Sequence, residues 1–248
     1  MSEPRLVPVP DAGASGAVSP RAAGWRRDLA HHLAAQRGPL IALGLFVSMF
    51  TLFAGEHPAG FSSNVINTAA NKGALLAFVA MAQTIPVLTS GLDLSVGMVF
   101  VLTNCLASRL VVGEPTATAL GVVAVLGTGL LCGALNGALV VLGRLQPIIV
   151  TLATGSIYFG GALWLRPAPG GSVNEPFADF MTGSLAGGVP FSIVLLAASV
   201  LLFWVPYRRS LIGRAAYAIG SSEQAAYMSG VAIGRAKLLA YVMSGLFS

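Results

Sequence analysis

The sequence predicts an all-α fold, a polytopic bundle of transmembrane helices. Three observations carry that expectation. Of 248 residues, 55% are hydrophobic and 9% charged, whereas soluble domains carry about 25% charged residues; mean hydropathy is +0.80. The apolar residues gather into seven runs, most of them close to the roughly 20 residues that a spanning helix needs. The basic residues fall between the runs, concentrated on alternate connections, as they do in proteins whose cytoplasmic loops are rich in Lys and Arg.

Residues 1–38 form a Pro-, Ala-, Gly- and Ser-rich segment that turns basic at Arg26 and Arg27. It lacks an apolar core and is expected to be disordered; no cleavable leader is read from it. The apolar runs then cover 39–54, 66–89, 94–112, 116–142, 148–165 and 189–205, and a last one opens at Leu238. This gives six full spans and a partial seventh within a membrane domain of residues 39–248. The seventh run has 11 residues to Ser248, and a helix that stops in mid-membrane leaves backbone groups unpaired in lipid. A C-terminally truncated chain is the expectation. With the N-terminus placed in the cytoplasm, Arg5, Arg21, Arg26, Arg27, Arg37, Arg144, Arg208, Arg209, Arg214, Arg235 and Lys237 face inward. Only Lys72, Arg109 and Arg166 face outward. The opposite orientation inverts that bias.

The loop at 207–237 is polar, basic and cytoplasmic in this orientation. Ser221 stands three residues before Gln224, a capping-box spacing. Glu223 suits the positive end of a helix. Ala225 and Ala226 favour helix and expose little bulk, and Gly230 suits a C-terminal residue of positive φ. A helix of about two turns is expected across 220–230, too short to stand alone in water. It is either an ordinary connection or a platform for a soluble partner.

The second run ends at Pro86, Ser90 and Gly91, and Asp93 follows in TSGLDLSVG. An aspartate among apolar runs is costly at the bilayer centre. Asp93 is expected to cap the next helix, ahead of Ser95 and Gly97, so the helices are discontinuous around Gly91–Asp93. The alternative is a direct role in substrate contact or gating. Gly129, Gly133 and Gly137 recur every four residues, a stripe that lets a neighbouring helix approach closely. Asn136 beside them either bonds across helices or lines a pathway. Thr151, Thr154 and Ser156 either return their hydroxyls to their own helix or face that pathway.

Several chemistries are excluded. No phosphate-binding G-x-x-x-x-G-K-[ST] loop, nucleophile–base pair or zinc motif is present, so neither an enzyme nor a metal site is read. Cys105 and Cys132 sit in apolar runs without ligand spacing. The net charge of +5 reports membrane orientation, and no nucleic acid is expected as a partner.

TSGLDLSVG, GALNGALVVLGRLQPIIVTLATGSIYFGG and GRAAYAIGSSEQAAYMSGVAIGRAKLLAYVMSG occur in that order. In these motifs, from about Phe61 onward, the chain resembles the permease subunits of bacterial ABC importers of the ribose, xylose and arabinose type. The resemblance implies a multi-pass inner-membrane protein paired with a second permease copy or a paralogue. A periplasmic sugar-binding protein would deliver a monosaccharide. An ABC ATP-binding subunit would dock on the loop at Ser221, Glu223, Gln224, Ala225, Ala226 and Gly230 and hold the Mg-ATP, leaving this chain without a cofactor. The family's usual acid followed directly by two alanines reads Glu-Gln-Ala-Ala here. The alternatives are a secondary transporter or facilitator, and a non-transporting truncated pseudo-permease.

Overall fold

The computed structural model describes residues 36–56, 58, 60–185 and 188–248; nearly all of the expected disordered segment, residues 1–38, lies outside them. The chain divides into two units, Met1–Gly60 and Phe61–Ser248. In the first, α1 (Arg37–Glu56) is a 20-residue helix. Ser48 and Thr51 return their hydroxyls to the preceding turn, and Phe46 stacks on Phe50 one turn away, with ring centroids 5.8 Å apart.

The second unit holds the rest of the helices. They are α2 (Ser63–Val87), α3 (Val96–Leu110), α4 (Pro115–Val141), α5 (Pro147–Leu165) and the short α6 (Glu175–Thr182). Then α7 (Phe191–Ser199) runs through a π-helical turn at Val200–Trp204 into α8 (Val205–Arg209). After it come α9 (Leu211–Ser221), α10 (Glu223–Met228) and α11 (Ile233–Phe247). Among the described residues, β pairing amounts to one isolated bridge, Ser184 with Pro190.

Local chemistry sets the boundaries. Ser62 accepts a hydrogen bond from Val65 N at the start of α2. Pro115 and Pro147 open α4 and α5, where a missing N–H costs nothing and a fixed φ helps. Pro86 comes one residue before α2 ends, and its carbonyl then accepts from both Thr89 N and Gly91 N. Asn174 caps α6 by accepting from Phe177 N at 3.0 Å.

Among the described residues, five helical stretches are long and apolar enough to cross a membrane: α1, α2, α4, α5 and the continuous 191–209 segment. The third run departs from expectation: its helix is a 15-residue α3, because the polar break after Pro86 takes up the residues before Val96. The last helix begins at Ile233, five residues ahead of the expected Leu238, and carries Arg235 and Lys237 in its first turns.

Helix α11 runs through the middle of this unit. A Cβ on Gly133 would run into the carbonyl of Tyr241, one on Gly129 into that of Gly245, and one on Gly137 into Leu238. The stripe therefore lies against α11, and Gly245 answers it from the other side, since a Cβ there would strike Gly129 and Gly133. Bare backbones in van der Waals contact hold helices together where lipid supplies no hydrophobic drive. On its other flank, Ala240 and Phe247 of α11 pack with Ala82 and Ile85 of α2 and Val96 of α3. Val99, Cys132 and Tyr158 join α3, α4 and α5.

The unit has two poles. At one, Gly220 lies against the Leu88 carbonyl and Gly234 against Val141, which gathers the ends of α2 and α4 with α9, α10 and the start of α11. Arg144, Arg208, Arg209, Arg214, Arg235 and Lys237 belong to the segments at this pole, where Lys237 pairs with Glu223. At the other, Arg109 donates to the Leu165 carbonyl and Asn174 N to that of Val111. The polar patch on α2 is used there too: Asn67 donates to Ser184 Oγ and Asn71 to the Thr182 carbonyl.

Candidate functional site

Of the residues singled out in TSGLDLSVG and on α4 and α5, Asp93, Ser95, Asn136, Thr151 and Thr154 meet in one buried polar network. Asp93 is 3% exposed. Its Oδ1 accepts from Ser95 N at 3.0 Å and from Ser95 Oγ at 2.6 Å. Its Oδ2 accepts from Ser244 Oγ of α11 at 2.9 Å. Asn136 Nδ2 donates to Ser95 Oγ at 2.7 Å. Thr154 donates to Asn136 Oδ1 at 2.6 Å, and Tyr158 OH reaches the same oxygen at 3.2 Å and the Cys132 carbonyl at 3.1 Å. Thr151 accepts from Leu94 N at 3.0 Å while donating back to Pro147. Three donors on a buried carboxylate offset much of its desolvation. The connected chain joins the α2–α3 break to α4, α5 and α11.

One expectation is corrected here. Asp93 does not cap α3. Ser95 holds the N-cap position in an α-helical conformation without a side-chain capping bond, because Asp93 spends its Oδ1 on Ser95, one residue too early to reach the helix. Gly97 stays outside the network, exposed, with open space where a Cβ would be. Gly91 has a steric role: a Cβ there would come within 2.6 Å of Tyr241 OH. That hydroxyl is buried and has no hydrogen-bond partner among the described residues.

Sequence reasoning missed Tyr158, Tyr241 and Ser244. Thr151, Thr154 and Tyr158 follow an i, i+3, i+7 pattern on α5, which marks one helix face, so Tyr158 had a usable signal. Ser244 had none, since it meets Asp93 across 151 positions. Ser156 returns its hydroxyl to Leu152 and stays exposed.

The second candidate region is the loop at the basic pole. Ser210 caps α9 by accepting from Gly213 N. The cap of α10 is Ser222, which accepts from Ala225 N at 3.2 Å. Ser221 was expected there; it is instead the last residue of α9 and donates to Tyr217. The favourable stretch LIGRAAYAIGS carries α9 one residue further and moves the cap by one. Gly230 has a φ of +76° and ends the motif. Ala226 is buried against Ile219 and Ala236, so it secures the loop to α9 and α11, while Gln224, Ala225, Tyr227 and Met228 are exposed. Met228 is 81% and Tyr227 71% exposed, an apolar tip. Glu223 pairs with Lys237 at 2.7 Å. A cavity of about 360 Å³ lies alongside, with Arg144, Glu223, Ile233 and Lys237 in its wall.

Residues 65–248 match the protein family described as branched-chain amino acid transport system / permease component. The chain belongs to this family. It is thus a multi-pass helical membrane protein of a transport-permease class. Over 216 residues it is 32% identical to a fructose import permease protein of Rhizobium meliloti, covering 84% of this chain and 59% of that one. It is 30% identical to a ribose import permease protein of Bacillus subtilis, covering 85% and 65%. A ribose import permease protein of Escherichia coli K12 is 29% identical, covering 84% and 65%. The chain spans about six-tenths of the length of these relatives. No solved structure matches it.

Proposed function

We propose that this chain is a membrane-spanning permease subunit of a binding-protein-dependent ABC importer for a monosaccharide. The membership of residues 65–248 in a permease family carries the reading, and the likeness to fructose and ribose import permeases supplies the substrate class. The basic pole faces the cytoplasm of a bacterial cell, by the excess of Lys and Arg there, which places α6 outside. The N-terminus is then cytoplasmic, with α1 as the first span. An ATP-binding subunit docks on the exposed face of α10, at Gln224, Ala225, Tyr227 and Met228. A sugar-binding protein delivers substrate at the opposite pole, and a second permease subunit completes the pathway. Mg-ATP belongs to the docked subunit.

Co-expression with ATP-binding subunits of sugar ABC importers, followed by affinity purification from membranes, tests this reading. Wild type retains the ATPase. Ala225→Arg loses it about tenfold or more while membrane insertion is unchanged, because an exposed side chain is replaced at a contact centre. Ala226→Arg is the wrong probe, since it disrupts a buried position. Undiminished retention by Ala225→Arg, or by Met228→Asp, removes the docking assignment. Failure of any ATP-binding subunit to associate with wild type favours a facilitator.

A further inference from the structure

At the pole opposite the docking loop, a cavity of about 280 Å³ opens between α3, α5 and the loop after α5. Asn104, Cys105, Ser108, Arg166 and Gly170 are in its wall. Arg166 is the outlier. Its Nε is buried and unpaired, and the side chain makes no hydrogen bond or ion pair among the described residues. The acids of this pole, Glu114, Glu175 and Asp179, form no salt bridge with it; the described ion pair is Lys237 with Glu223. The chain is nevertheless shaped around the guanidinium. Gly171, at φ +99°, lies where any Cβ would collide with it, and Gly170, at φ +133°, flanks it. Partial burial of a cation without a counterion is costly, and a planar guanidinium is suited to two-point pairing with carboxylate or phosphate oxygens. Asn104 adds an exposed amide with no partner among the described residues. Ser108 donates to the Cys105 carbonyl at 2.7 Å, so its hydroxyl proton is spent within the helix.

We infer that this cavity is an anion-accepting site, in which Arg166 and Asn104 receive a carboxylate or phosphate group. The inference rests on the cavity and its unpaired guanidinium, independently of the importer reading.

Cys105 is a native reporter, since it lines the cavity as a free thiol. The purified full chain in detergent is treated with a sulfonate-bearing and a trimethylammonium-bearing methanethiosulfonate. Modification of Cys105 is read by peptide mass spectrometry, and each rate is normalised to that of a small free thiol. The anionic reagent is expected to be favoured about fivefold, the effect of roughly 1 kcal/mol from a nearby positive charge. Arg166→Gln brings the ratio to about one, and Arg166→Lys, which keeps the charge, preserves the preference. Inorganic phosphate slows modification in wild type and leaves Arg166→Gln unaffected. Reconstitution in phosphatidylcholine with or without phosphatidylglycerol distinguishes the source of the anion. Protection by phosphate alone identifies a soluble anion, and protection that requires phosphatidylglycerol identifies a lipid headgroup. Equal normalised rates in wild type, protection by neither anion, or protection that persists in Arg166→Gln overturns the assignment.

Discussion

Asn136 accepts from two side chains of α5 and donates to Ser95, all at 0–7% exposure. Replacing it with Ala removes every one of those bonds and leaves a void. Asn136→Ala is expected to cost about 2–4 kcal/mol, the sum of an unsatisfied buried group and a small cavity. Reversible unfolding of the detergent-solubilised chain by SDS measures this. If the bonds act as a unit, Ser95→Ala and Asn136→Ala together lose less than the sum of each alone; strict additivity removes the coupled network. How far this network was legible depends on range. Asp93, Ser95, Asn136 and Thr151 stood out because polar residues among apolar runs need partners. Which partner each one takes depends on helix register across the bundle, which no local pattern fixes. The same holds for Ser221 and Ser222: both carry a suitable hydroxyl, and the choice between them was made by how far α9 extended.

Among elements, the pairing of α4 with α11 depends on absent side chains. Gly133→Ala places a methyl group against the Tyr241 carbonyl, which forces two backbones apart at a cost of about 1–3 kcal/mol. Gly127→Ala, on the same helix with nothing within 4 Å of the new methyl, is expected to be neutral or to gain about 0.5–1 kcal/mol from reduced backbone freedom. The two variants, compared in the same unfolding assay, separate close approach from helix propensity; equal effects exclude the contact. The stripe itself was readable from its period of four. Its partner was not, because Gly245 lies in a run that showed only apolar character. The shortness of α3 was also hidden: hydropathy marks 94–112 as continuous, while the turn chemistry around Asp93 delays the helix to Val96.

For the whole molecule, charge asymmetry is the main prediction of orientation. Ser229, at the exposed end of α10, and Glu175, at the start of α6, lie at opposite poles and are both exposed. In intact spheroplasts, a membrane-impermeant maleimide is expected to modify Glu175→Cys and to spare Ser229→Cys until the membrane is opened. The reverse pattern inverts the topology. The helical membrane architecture was plain from composition and run length, since lipid leaves few solutions for backbone polar groups. The two poles were foreshadowed by the basic loops. The anion cavity was not, because Arg166 reads in sequence as one more flanking charge, and only the surrounding glycines and the missing carboxylate set it apart.

Lys237 and Ser244 stand on one helix, seven residues apart, about 10 Å along its axis. The first grips Glu223 of α10 and the second holds Asp93. Ala236, between Arg235 and Lys237, carries the apolar half of the same grip through Ala226. The surface ion pair alone is worth at most about 1 kcal/mol, so the methyl contacts are the firmer tie. The surface that is open to a soluble partner and the carboxylate sealed inside the bundle are thus mounted on a common shaft. A helix carries little slack over two turns, so a displacement applied at one mounting is expected to reach the other as a change in the bond between Ser244 and Asp93.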